Sequence, residues 1–259
     1  MCSIFPTRHR GPMTTAHTPL DAATAVLAHP TLPPGDDERF VGFGVMGFPF
    51  TSGHYLALRH FPATTFAPAY RSVWHRDPAG IWTFYATTPA EQSCARYFSS
   101  ATPQDAVKCD IDVAWTDPWT LHVAIPGLLD WTIQIQATAA TRLLSAVGQR
   151  LPVSTWTNKA ALTAIGFAAG TLLRSGTMRL SATAPNGQQF MVAPQQVWRA
   201  TGRAAINGVD LGRPGPLDRQ ARLGGFRPPQ RALFVVASGH FENFDPSVHR
   251  AAEHTVSLD

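Results

Sequence analysis

The amino-acid sequence predicts a mainly β fold with inserted helices, its strands forming an antiparallel meander that closes or strongly curves into a β-barrel. Three observations carry this expectation. Short aromatic and β-branched segments follow one another through the first half of the chain, with period-two alternation in the clearest of them. Turn residues separate these segments at intervals too short for parallel crossovers. One helical block then interrupts the pattern before strand-like sequence resumes. About ten strands in one sheet usually curl to remove their edges, so a lipocalin-like barrel is the natural analogy, of fold only.

The strand segments run His54–Phe61, Tyr70–Arg76, Ile81–Thr87, Lys108–Thr116, Trp119–Pro126 and Leu129–Gln136. Asp77-Pro78-Ala79-Gly80 suits a type I turn, with Pro second and Gly fourth. Asp117-Pro118 and Pro126-Gly127 punctuate the next two junctions. Alternation puts Cys109, Ile111, Val113 and Trp115 on one face and Asp110 and Asp112 on the other. Trp119, Leu121, Val123 and Ile125 alternate likewise, as do Leu129, Trp131, Ile133 and Ile135.

Leu143, Leu144, Val147 and Leu151 share one helical face, and Pro152 ends that helix. A second helix, capped by Ser154 or Thr155, runs toward Ser175, where Gly176 stops it. Its small residues, among them Gly166 and Gly170, suit close packing on the sheet. Asn186-Gly187 is the strongest hairpin signal in the chain, and Asn207-Gly208 marks another turn. Residues 212–229 read as a long loop and 232–244 as the last strand. The domain organisation expected is a loose arm over 1–37 with a short helix over Leu20–Leu27, one β-rich domain over 38–245 with a helical insertion at 139–175, and a polar tail over 246–259.

Composition narrows the function classes. The chain has 259 residues, long enough for one large domain to bury its own core. Charged residues make up only 15% against 44% hydrophobic, with seven Trp and fifteen Phe, which points to extensive buried or ligand-facing apolar surface. The net charge of +4 comes from scattered Arg, and only Lys108 and Lys159 are lysines. No basic run or aromatic-interleaved stripe appears, so no nucleic-acid partner is expected. Three cysteines (Cys2, Cys94 and Cys109) without a CxxC pair argue against a disulfide framework and a structural zinc site. The N-terminus lacks an apolar signal core, and Met13 offers an alternative start. The longest apolar stretch, 160–173, is too short for a stable membrane span. A cytoplasmic location is expected; the oligomeric state is left open.

Several motifs fail their own chemistry. Gly42, Gly44 and Gly47 match GxGxxG, but Pro49 follows instead of a helix and no acid lies between 48 and 76. That segment reads as a flexible lead-in to the first strand. His75-Arg76-Asp77 resembles a kinase triplet without the downstream Asn. His240-Phe241-Glu242 matches the HxE of zinc deaminases without the PCxxC partner. Lys108 beside Asp110 and Asp112 lacks the environment that lowers a lysine pKa for imine chemistry. Cys94, near Arg96, has no identifiable base and reads as a buried neutral thiol.

The function expected is therefore binding of a small apolar molecule (lipid-, terpenoid- or polyketide-like) in a barrel or grip cavity. Cofactor-free acid/base catalysis such as isomerisation, cyclisation or hydration needs little beyond a shaped cavity and one or two polar groups. The candidate catalytic residues are His75, Arg76, Tyr85, Asp130, His240 and Glu242. The candidate ligand-binding residues are Trp74, Trp82, Trp115, Trp119 and Trp131. No metal and no cofactor are expected. A non-catalytic carrier or sensor of the same ligand class, and a scaffold without a cavity, are the alternatives.

Overall fold

A computed structural model describes residues 18–102, 106–252 and 255–257. The expectations for Cys2, Met13 and residues 1–17 of the arm lie outside the described residues. The elements, in order, are α1 (Pro19–Ala28), β1 (Glu38–Pro49), β2 (Tyr55–Thr64), β3 (Tyr70–Arg76), β4 (Trp82–Ala86), α2 (Ala95–Phe98), β5 (Ala106–Lys108), β6 (Asp112–Asp117), β7 (Thr120–Ile125), β8 (Leu129–Gln136), α3 (Ala139–Gly148), α4 (Lys159–Leu172), β9 (Ser181–Thr183), β10 (Gln189–Ile206), β11 (Val209–Asp210), β12 (Leu233–Phe241) and β13 (Thr255–Ser257).

One large sheet runs β13-β5-β4-β3-β2-β1-β12-β10-β8-β7-β6, with β9 and β11 hairpinned onto β10. It contains two meanders, β1 to β4 and β6 to β8. β5 pairs parallel with β4 and β13 parallel with β5, so the sheet is mixed.

The sheet is not a barrel, which corrects the closed or strongly curved, lipocalin-like expectation. Among the described residues β13 pairs only with β5 and β6 only with β7, leaving two free edges. The cause lies at the centre. β1 and β12 pair with each other there, and β12 pairs on its other side with β10, so β12 joins the two meanders. A barrel built as an up-and-down meander joins its outermost strands; here the peripheral strands come from mid-chain and the tail and have no shared register. β1 itself also replaces the flexible lead-in expected over Gly42–Gly47. It is buried on both faces, so it shows no alternation, and its glycines depress strand propensity.

Local chemistry explains the helices. Thr18 caps α1 in a reciprocal capping box with Asp21. Asn158 caps α4 by accepting from the Ala160 and Ala161 amides. A Cβ at Gly166 or Gly170 would lie 2.6 Å from the Met178 carbonyl or 2.5 Å from the Gly176 carbonyl. The glycine pair therefore lets α4 lie against the irregular segment that follows it. No helix among the described residues is long and apolar enough to cross a membrane.

The two sheet faces differ. One carries a packed core of Val45, Leu56, Leu58, Val123, Trp131 and Ile133, closed by Ala22 and Ala23 of α1. Phe48 and Trp131 meet there edge to face at 5.2 Å. The other carries aromatic residues from β1, β2, β3, β10 and β12 beneath a cover made of α2 and the loop at 221–229.

Candidate functional site

The covered aromatic face holds a partly open cavity of about 130 Å³. Its floor follows strand parity. Gly42, Gly44 and Met46 of β1 lie opposite Ala237, Val235 and Leu233 of β12, and all six line it. A Cβ at Gly42 would lie 2.1 Å from the His60 carbonyl oxygen, and one at Gly44 2.2 Å from that of Leu58. Only glycine lets β2 pair so closely at these two positions. Phe98, Phe190, Phe226 and Phe241 supply aromatic walls. A cavity of about 150 Å³ lined by such groups accepts a benzene ring, so this one fits a single ring or a short branched chain.

The cover is pinned by a polar cluster. Arg96 Nη2 donates to Glu38 Oε1 at 2.6 Å, and the Tyr97 hydroxyl donates to Glu38 Oε2 at 2.6 Å. Asn186 Nδ2 donates to the Arg96 carbonyl, and the Tyr97 ring stacks on Phe241 at 3.6 Å. Burial and the Glu38 carboxylate push the Tyr97 phenol far up, so it stays a donor.

Arg59 is the buried charge of the cavity. It shares a β2 face with Tyr55, Ala57 and Phe61 and is 8% exposed. Its Nη1 donates to the Leu58 carbonyl at 2.9 Å and more weakly to that of Val45 at 3.5 Å. The guanidinium carbon lies 4.6 Å from the centre of the Trp74 ring, a cation–π distance. Among the described residues no carboxylate lies within ion-pair distance of Arg59, and its Nε and Nη2 have no hydrogen-bond partner. Burial lowers its pKa, while Cys94, Tyr55 and Tyr70 act the other way. The Trp74 Nε1 and Ser72 Oγ atoms are buried without a partner on this part of the sheet. Among the described residues, the other charged residues lining the cavity are Arg179 and Arg227, and no acid, histidine or lysine lines it.

Two weak acids sit beside Arg59. The Tyr70 hydroxyl and Cys94 Sγ are 3.1 Å apart. Burial raises both pKa values, so thiol and phenol are neutral near pH 7.

The six candidate catalytic residues fall elsewhere, and none lines the cavity. His75 Nε2 lies 2.9 Å from His54 Nδ1 with the rings stacked, and burial with the His54 charge lowers its pKa to about 4. Arg76 donates to the carbonyls of Gly53 and Asp77 at the adjoining turn. Tyr85 packs against the other core. Asp130 is exposed, 3.2 Å from His122. His240 faces Asp37 at 3.7 Å, whereas Glu242 faces His249 at 3.2 Å, so the structure does not couple those two. Of the tryptophans, Trp74 lines the cavity and Trp82 packs edge-on against it at 6.5 Å. Trp115, Trp119 and Trp131 belong to the opposite core. Among the described residues no three His, Cys, Asp or Glu side chains group as a metal site.

Arg59 belongs to none of the motifs that single out candidate residues, although the sequence carries its signal. HYLALRHF places one arginine at the same parity as Tyr55 and Phe61 inside an apolar strand. A buried arginine there demands a partner.

No family model matches the sequence. No curated protein matches it either. Among solved structures the chain is similar to an acetoacetate decarboxylase from Legionella pneumophila subsp. pneumophila str. Philadelphia 1, with 11% identity and a TM-score of 0.35 over 83% of this chain and 89% of that one. So loose an overlap carries neither residues nor chemistry across.

Proposed function

We propose that the protein binds a small apolar carboxylic acid, its hydrocarbon in the aromatic cavity and its carboxylate on Arg59. The observation that carries this reading is a buried guanidinium facing an apolar cavity with no carboxylate of its own. A buried charge left unpaired costs several kcal/mol, roughly, and a ligand anion offsets that cost. Guanidinium presents a planar fork that matches a carboxylate, and the free Nε and Nη2 are the two donors such a pair uses. Among the described residues the cavity's charged residues are all arginines, which favours an anion and disfavours a cation. Its volume suits an aromatic acid of one ring or a short branched acid.

Binding without turnover fits the surrounding groups best, as in a carrier or sensor. A general base must sit within hydrogen-bond reach in its basic form. The nearest titratable groups, Cys94 and Tyr70, are held neutral by burial. Among the described residues no amine is placed for imine chemistry, because Lys108 and Lys159 are exposed and outside the cavity.

Calorimetric titration with benzoate and benzyl alcohol, and with 4-methylpentanoate and its alcohol, tests the reading. The acids are expected to bind about 10- to 100-fold tighter than the alcohols, the worth of a charge-assisted hydrogen-bond pair. Arg59→Met is expected to remove that preference. Equal binding of acid and alcohol, or an acid preference that survives Arg59→Met, would overturn the proposal.

A further inference from the structure

The helical insertion leaves an apolar surface open. The outward stripe of α4 is Ala160, Thr163, Ala164, Phe167, Ala168 and Thr171, all exposed and uncharged. Phe167 is 76% exposed and Leu143 of α3 57%. A helix that is apolar all round ordinarily lies in a core, so half of α4 lacks its cover. Val147 of α3 and Ile165 of α4 line one small void with Trp156, so both helices border the same apolar space.

The segment that builds this surface carries charge of one sign. No Asp or Glu occurs between Asp130 and Asp210, while Arg142, Arg150, Lys159, Arg174 and Arg179 are all exposed there. A second copy would set these cations against their own counterparts. An anionic occupant pairs with them.

We infer that the α3–α4 face docks on an anionic lipid bilayer, with Phe167, Leu143 and Val147 entering the acyl boundary and the arginines meeting the headgroups. Exposed aromatic and aliphatic side chains fringed by cations are what interfacial helices present to membranes. A bilayer is favoured over an acidic protein by what lies behind the helices. The void between them shares Met178, Leu180, Pro194, Leu233 and Val235 with the ligand cavity. The void and the cavity thus border one apolar layer beneath the helices, so the insertion is apolar within as well as on its open face, which suits a hydrocarbon phase. The inference stands on exposure, charge and the shared apolar lining, and does not require the carboxylate reading.

Co-sedimentation of the full chain with vesicles tests it, using phosphatidylcholine alone and phosphatidylcholine with about one third phosphatidylglycerol. Partitioning is expected to be at least about tenfold stronger on the anionic vesicles and to fall in about 1 M salt. Phe167→Asp is expected to lower it about tenfold or more, and Arg150→Glu with Lys159→Glu to do the same. Both variants change exposed positions, and circular dichroism with an unchanged melting temperature establishes that they fold. No association with anionic vesicles would overturn the inference. Association insensitive to Phe167→Asp would overturn it as well, leaving charge alone. So would a stable dimer in sedimentation velocity that Phe167→Asp dissociates, which would give the face to a second copy.

Discussion

Trp74 and Trp131 are both about fully buried, both in strands of one sheet, and both have an indole N–H without a partner. They sit on opposite faces with opposite consequences. Trp131 is packed by Phe48 and the aliphatic residues of β1, β2, β7 and β8, with α1 across the top. Trp74 borders a cavity and carries a guanidinium on its ring. The first face spends its apolar residues on density, and the second holds open a space whose lining repeats aromatic rings around one cation. The difference separates stability from binding: close packing on one side lets the other side keep a void and an unpaired charge.

That separation has measurable consequences. Trp131→Ala is expected to lower unfolding free energy by about 3–5 kcal/mol, since a large side chain leaves a packed core that cannot fully collapse. Trp74→Ala is expected to cost roughly half as much, because part of its surroundings is already empty. Urea denaturation of both reads the contrast, and equal losses would show the second face to be as tightly packed as the first.

Acid reveals the buried imidazoles. Burial lowers the pKa of His60 to about 4, with Arg71 adding to the effect, and that of His75 to about 4. The unfolded chain has ordinary histidines near 6.5, so between these values it binds more protons than the folded chain. Stability is therefore fully present above about pH 6.5 and is lost as pH falls toward about 4, by at most about 3 kcal/mol per histidine. His60→Leu is expected to flatten the melting-temperature profile across that window while leaving acid binding at pH 7 unchanged. A profile as steep as that of the unchanged protein would remove His60 from this account.

Arg59→Met should act in the opposite direction on stability. Replacing an unpaired buried cation by a side chain of similar length relieves its desolvation, and a gain of about 1–3 kcal/mol is expected in the absence of ligand. Thermal denaturation with and without benzoate measures it. A loss of stability would mean that the two carbonyl contacts of Arg59 matter more than its missing counter-ion.

How far the sequence carried these features depended on how local their causes are. Tyr70–Arg76 and Leu129–Gln136 were read to the residue, because alternation and turn chemistry act over a few positions. Asn186-Gly187 turned the chain between β9 and β10 as expected. The expected strand over Lys108–Thr116 is instead split into β5 and β6, which lie in different parts of the sheet. Sheet order escaped reading, since β12 inserting between β1 and β10 is a tertiary choice with no local signature. The site followed the same rule. Trp74 was chosen for its residue type, but the opposite faces taken by Trp74 and Trp131 follow from sheet assembly. Arg59 was passed over because residue-type motifs favoured histidines and acids, whereas the parity of β2 within the assembled sheet makes this arginine a buried one.

The smallest expected effect tests whether the two faces are independent. Thr18 closes the first turn of α1, accepting from the Asp21 amide at 3.1 Å while Asp21 accepts from the Thr18 amide. Thr18→Ala removes one half of that exchange and is expected to cost about 1 kcal/mol. α1 covers only the packed face, through Ala22 and Ala23. Its fraying should reach the cavity only through β1, whose alternate residues face both sides, Val45 toward α1's core and Gly44 toward the cavity. If the backbone of β1 is held by its pairing to β2 and β12, benzoate affinity stays unchanged as stability falls. A parallel loss of affinity would show that β1 transmits packing from one face to the other, and the separation of stability from binding would then fail at the strand that divides them.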